Sequence, residues 1–286
     1  MQVTILLLGS IRPRVPETDL MQLFSAGTTF GDVRIPFPHV RVTGLAARST
    51  LEDLRREHPT ATPIIVGGDD DSESLQNILH ILFDERLALP FPPEEVEEVI
   101  ERSLCGDGWS LHLAYERDLH DRMLPRLKEI NAPEIIISSL TEWPRLDAKP
   151  DVTDIINQPW PELPQRPTDL RCAASSDMVL IVLIPTVRPW EAAAYLDFGG
   201  FNACPAPWVH VAYAREWSAR FGARLLALTH DALEFEVARP ITSREDAAAM
   251  GAVHAHYCSD TKDAYASDVE HAAYLLGAPL WEFWWD

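Results

Sequence analysis

From Met178 to the C-terminus, apolar residues switch between strand spacing and helix spacing in the order β-α-β-β-α-β. Met178–Ile184 is a continuous apolar run and predicts a central strand. Ala206–Phe221 predicts a helix, because Val209, Tyr213, Trp217 and Phe221 recur every four residues as one apolar stripe, with Gly222 as its stop. Arg224–Thr229 and Leu233–Ala238 predict paired strands; in the second, Leu233, Phe235 and Val237 alternate with Glu234 and Glu236, giving one dry and one wet face. Thr242-Ser243-Arg244-Glu245 has the spacing of a capping box and starts a helix to about Tyr257. A short helix over Asp268–Leu276 ends at Gly277, and Leu280–Trp285 is the last strand. This order predicts an α+β domain of the ferredoxin-like class, with one sheet face under two helices.

The same order places two cysteine motifs at one edge of that sheet. They are Phe198-Gly199-Gly200-Phe201-Asn202-Ala203-Cys204-Pro205 and His256-Tyr257-Cys258-Ser259-Asp260. Asn202, Cys204, His254, Cys258, Asp260 and Trp281 become candidate neighbours. Cys204, His254, Cys258 and Asp260 are then candidates for catalysis, and Asn202 and Trp281 for ligand binding. Three readings stay open. Cys204, His254 and Cys258 have donor types that suit zinc, although their spacing matches no familiar zinc signature, so no cofactor is the first expectation and zinc the alternative. Cys204 at a helix start, with His254 as base, would make a nucleophilic thiol. The bland reading packs the cysteines as small apolar groups, with Asn202 and Asp260 capping turns. Gly199-Gly200 fits the last reading, as a pair that permits a sharp turn. His254-Ala255-His256 sends its two rings to different helix faces and is a poor chelate.

Further upstream, six prolines between Pro144 and Pro167 mark an irregular stretch. Trp143 and Trp160 within it suit a strap lying on the surface better than a free tether. The chain therefore divides into an N-terminal α/β or α+β region (1–142), a linker or strap (143–168) and a C-terminal domain (169–286). In the first region Val3–Leu8, His39–Val42 and Pro63–Val66 are expected strands. Leu51–Glu57, Ser72–Arg86 and Pro93–Leu104 are expected helices. Asp69-Asp70-Asp71 follows Gly67-Gly68 but lacks the spaced oxygens of a calcium loop, so a solvated turn is expected.

Charge limits the partners. The chain has 24 basic and 44 acidic side chains, a net charge of −20, which disfavours nucleic acid and anionic membranes. A basic protein partner or a cationic ligand is favoured by the opposite field. Residues 69–102 concentrate this charge, as a docking face or simply a solvated one. Four cysteines without a CxxC pair, and an N-terminal apolar run with no preceding positive charge, lead to an expected cytoplasmic location with free thiols. There is no G-x-S-x-G, H-E-x-x-H, Walker or Rossmann string.

Several strings together carry a family resemblance: Pro189-Trp190, Gly199-Gly200-Phe201-Asn202-Ala203-Cys204-Pro205, Trp217 before Phe221-Gly222-Ala223, Asp231-Ala232-Leu233-Glu234, Ala238-Arg239-Pro240, Tyr257-Cys258-Ser259-Asp260 and the Trp281–Asp286 ending. In this order they resemble the bacterial domain-of-unknown-function family 4253 over about residues 178–286. The chain departs from the family pattern at Phe201, where tryptophan is expected, and at Ser259, where proline is. The resemblance implies a bacterial cytoplasmic protein and supplies no activity. With no convincing active site in the sequence, the expectation is a non-enzymatic acidic module that docks a basic protein, an immunity-type role being one form. The alternative is an enzyme or metal protein using the Cys/His/Asp cluster. Nothing in the sequence speaks to oligomeric state.

Overall fold

A strand that is apolar at every position needs cover on both faces, and Met178–Ile184 has it. A computed structural model of the protein describes residues 22–68, 75–85, 93–130, 149–162, 166–174 and 176–285. The expected strand Val3–Leu8, the Asp69–Asp71 turn and Trp143 lie outside these. In chain order the elements are β1 (Thr29–Phe30), β2 (Val33–Arg34), β3 (His39–Thr43), α1 (Gly44–Glu57), β4 (Thr62–Gly68) and α2 (Leu75–His80), continued as a π-helical turn over Ile81–Glu85. Then come α3 (Pro93–Ser103), α4 (Gly108–Glu129), α5 (Thr153–Asn157), α6 (Arg171–Ala174), β5 (Met178–Ile184), a 3₁₀ turn over Pro189–Glu191 and α7 (Ala192–Tyr195). The C-terminal part holds α8 (Pro207–Phe221), β6 (Ala223–Leu228), β7 (Ala232–Val237), α9 (Arg244–Tyr257), a 3₁₀ turn over Ser259–Ala264, α10 (Asp268–Leu275) and β8 (Leu280–Trp284).

Six strands form one sheet in the order β3-β5-β4-β6-β7-β8. All neighbours are antiparallel except β4 and β6, which run parallel and meet at Ile65 and Ala227. Alternate residues of β5 serve different cores. Leu180, Val182 and Ile184 join Tyr213, Trp217, Phe235, Tyr257 and Phe283 on the side of α8 and α9. Val179, Ile181 and Leu183 join Ala47, Leu51 and Leu54 of α1 on the other. The architecture is α+β with helices on both sheet faces.

This corrects the ferredoxin-like expectation. A β-α-β unit needs its two strands parallel, yet β5 and β6 run in opposite directions, each being placed by its pairing with β4. The long connection 185–206, with its two short helices and the Gly199-Gly200 turn, carries the chain back before α8 begins. The gap between β5 and β6 is filled by β4, from the N-terminal region. The sheet therefore runs across the division expected at 143–168, and N-terminal α1 covers the face expected to be open.

Local details follow from chemistry. Helix α8 stops at Gly222, whose φ of 62° is left-handed. The cap of α9 is Ser243, one residue later than expected, and its hydroxyl accepts from the Asp246 amide at 3.0 Å. Glu234 on β7 does not face water: it is 6% exposed and accepts the Arg171 and Cys172 amides at 2.6 and 2.9 Å, fastening the start of α6 to the sheet. The strap reading of the proline-rich stretch suits what surrounds α5. Trp160 donates its indole N–H to the Ile155 carbonyl at 3.0 Å and lies under the Arg244 guanidinium, 4.9 Å from the ring centre. Arg166 donates to the carbonyls of Ala273 and Tyr274, both at 2.8 Å.

Candidate metal centre

Helix α4 has no counterpart among the elements expected from sequence, and it builds the site. Asp107 caps it by accepting from the Ser110 amide at 2.9 Å. Its first residue, Gly108, lies so close to α8 that a Cβ there would sit 2.5 Å from the Tyr213 ring, so only glycine lets the two helices meet. Trp109, His112 and Leu113 are consequently buried in the first turns. His112 and Glu116 are four residues apart and share one helix face.

That face meets the last turn of α9. The His256 ring packs, tilted, against Trp109 with ring centres 4.2 Å apart and against His112 at 4.4 Å. Glu116 Oε1 lies 3.9 Å from His112 Nε2 and 4.0 Å from His256 Nδ1. Ligand atoms of all three lie within 4.8 Å of one another. Two ligand atoms of a tetrahedral zinc with bonds of ~2.0–2.2 Å lie roughly 3.4 Å apart, so the two histidine–glutamate distances would have to close by about half an ångström on binding. Two imidazoles and one carboxylate suit a borderline divalent ion of the zinc or iron(II) class, not the all-oxygen preference of magnesium or calcium. Burial, then the neighbouring His256 and His210, hold the His112 pKa well below its ordinary value. The ring is neutral near pH 7, the form that ligates. Its Nδ1 is buried and has no hydrogen-bond partner.

The three residues form part of the wall of a cleft of about 710 Å³. The strap lines it through Asp151 and Asp154, and α10 through Asp268. An ion held by these three residues would have fewer protein ligands than the four of a structural zinc site, as catalytic metal sites do, and all three line the cleft.

The residues singled out from sequence lie elsewhere. Cys204 is buried, with its sulfur 3.3 Å from His210 Nε2, and His210 Nδ1 is 2.5 Å from the Tyr257 hydroxyl. The two cysteine motifs thus meet through a His210–Tyr257 hydrogen bond. The His210 ring also bonds the Pro205 backbone, which offers only a carbonyl, so the ring donates there. With Nδ1 taken by the phenol, the proton belongs on Nε2, which faces Cys204. That tautomer cannot accept the thiol proton. Burial lowers the His210 pKa to about 3, so the ring does not become a cation either. Trp285, Phe198 and Tyr257 surround it edge-on. This is a polar brace inside an aromatic core.

His254 is not the partner of Cys204. Its ring packs against Trp217, Trp281 and Phe283, and burial pushes its pKa well below the ordinary value. The Cys258 thiol donates to the Trp284 carbonyl at 2.9 Å, tying the end of α9 to β8, and burial raises its pKa. Cys204, His254 and Cys258 therefore each have separate surroundings and share no ligand position among the described residues. Trp281 is core. Asn202 is exposed in a turn at φ 46°, and Asp260 accepts from the Ser259 hydroxyl at 3.0 Å. His256 does point away from His254, into the cleft, and finds its partners on α4. The i,i+4 spacing of His112 and Glu116 is the local sign of the site in the sequence, and it gives no indication of His256 as their partner.

Fold and site describe an α+β protein with a two-histidine, one-glutamate cluster between two helices. Residues 180–286, the C-terminal part of the chain, match the model of the family described as Domain of unknown function (DUF4253). No curated protein matches the chain, and no solved structure does. His256, His210 and both buried cysteines lie inside the matched region; His112 and Glu116 lie outside it. Among the described residues no helix is long and apolar enough to cross a membrane.

Proposed function

We propose that this protein binds one divalent transition-metal ion at His112, Glu116 and His256, and that the ion serves ligand binding or reaction in the adjoining cleft. The observation that carries this reading is the convergence of three ligand atoms from two helices within 4.8 Å. The neutral state of His112 supports it, as does the cleft beside it. The ion would act as a Lewis acid on whatever occupies its open position. The protein's part is to hold two imidazoles and a carboxylate on rigid helices. Four thiols without a disulfide suit a reducing compartment such as the cytoplasm.

Metal content and titration of the full chain test the reading. One equivalent of zinc or cobalt(II) should bind, and His112→Ala or Glu116→Gln should weaken it about a hundredfold or more, with the thermal melt retained. The cobalt(II) spectrum should lack a thiolate charge-transfer band. A thiolate band, or unchanged affinity in both variants, would overturn it.

A second reading, an acidic module docking a basic protein, of immunity type or otherwise, rests on the net charge of −20 and on Glu94, Glu95, Glu97 and Glu98 exposed along α3. A basic partner bound in a salt-sensitive way, with the metal-site variants unaffected, would favour it.

A further inference from the structure

The metal-centre reading leaves open what the cleft takes, and its walls bear on that. We infer that the cleft selects a small cationic ligand, an alkyl amine or diamine, whose ammonium group is held by Asp151, Asp154 and Asp268 beside the metal position. This rests on the metal reading for the ligand's second point of attachment.

Among the described residues no lysine or arginine lines the cleft, whereas the strap and α10 bring three aspartates to it. Among the described residues none of these three carries an ion pair with a basic side chain. Asp151 is fixed in place: its carboxylate accepts from the Thr153 amide at 2.9 Å and from the Thr153 hydroxyl at 2.6 Å. Asp268 is fixed as the first residue of α10. The Asp151 carboxylate is thus oriented, while Asp154 and Asp268 reach the cleft from exposed positions on α5 and α10.

The metal cluster is the independent sign that a ligand is taken here. His112 has 4% side-chain exposure, lines the cleft and sets its Nε2 3.9 Å from Glu116 Oε1. A cleft of about 710 Å³ is in the range of small-molecule sites, roughly 300–1,000 Å³. Phosphates and carboxylates would meet like charge on entry, which disfavours them however well they ligate metals. An amine gains from the field and leaves a donor for the open coordination position. The chain's net charge of −20 acts in the same direction at long range.

Calorimetry on the full chain, loaded with zinc, tests this with three probes of one length: 1,4-diaminobutane, 1,4-butanediol and succinate. The diamine should bind at least tenfold more tightly than either of the others, and the margin should shrink in high salt. The triple variant Asp151→Asn, Asp154→Asn, Asp268→Asn should lose that margin while binding zinc within twofold of the parent. Should the triple variant fail to fold, Asp154→Asn alone, at an exposed position, should lose part of it. Equal binding of succinate or butanediol, or a margin that survives the substitutions, would overturn the inference and leave the metal reading standing. Failure of zinc to bind would remove the metal reading. The probe series on the metal-free chain would then decide the charge preference by itself.

Discussion

Gly199 shows how one residue can hold a core together. Its φ is 123°, and a Cβ there would fall 2.0 Å from the Pro205 carbonyl oxygen and 2.8 Å from His210 Nε2. Neither atom is free to move, since both belong to the His210 brace. Gly200 is left-handed too, at φ 76°, but a Cβ there meets nothing within 4 Å. Gly199→Ala should therefore cost on the order of 2–4 kcal/mol, strain plus overlap, and Gly200→Ala about 1–2 kcal/mol, strain alone. Urea midpoints of the two variants check this, and equal losses would contradict the steric account. Sequence exposed the pair as a turn because glycine chemistry is local. It did not expose which glycine touches His210, because that contact spans the turn and the next helix. The same limit hid His210 itself, which lies in the apolar stretch Val209–Val211 and has no motif around it.

Elements were legible where their apolar pattern was strong. The run of β5, the stripe of α8 and the alternation of β7 were each readable, because burial on one or two faces writes a period into the chain. Helix α4 was not readable: only its first turns are buried, and beyond them it alternates charged and apolar residues to Glu129 with weak amphipathicity. The wet face expected for β7 was misjudged for a related reason. Glu234 is polar but satisfied by two amides of α6, a segment 62 or more residues away in sequence. Strand β8 supports the simplest test at this scale. Among the described residues it pairs only with β7, yet it carries Trp281 and Phe283 into the aromatic core, and Trp285 follows directly. Three buried aromatics at roughly 3–5 kcal/mol each match the whole net stability of a domain, about 5–15 kcal/mol. A chain truncated before Trp281 should show no cooperative melt by circular dichroism.

For the whole molecule, the buried histidines set the response to acid. His112, His210 and His254 all have folded pKa values below the ordinary 6.5, His210 at about 3. Below pH 6.5 the unfolded chain takes up protons that the folded chain refuses. The stability these groups supply is complete above that pH and is lost as pH falls toward their folded values. Each contributes a slope of up to about 1.4 kcal/mol per pH unit in this window. Glu234 acts in the opposite sense: burial raises its pKa, so the folded chain keeps that proton to a higher pH and gains stability on the acid side of it. Three histidines outweigh one glutamate. Denaturant midpoints should fall steeply between pH 6.5 and pH 4, and a flat profile there would contradict the burial of the three rings.

The sequence by itself determined the helices and strands of the C-terminal part and its family resemblance. It also identified the cysteine motifs and the glycine turn. These depend on periods and strings within a few residues, and local sterics and burial suffice to write them. The tertiary structure alone decided that β4 enters the sheet between β5 and β6, and that α1 covers the second face. It alone brought His112 and Glu116 to His256, from helices more than a hundred residues apart in the chain. Strand neighbours and cross-helix clusters are chosen by packing over the whole molecule, and no short-range pattern records that choice.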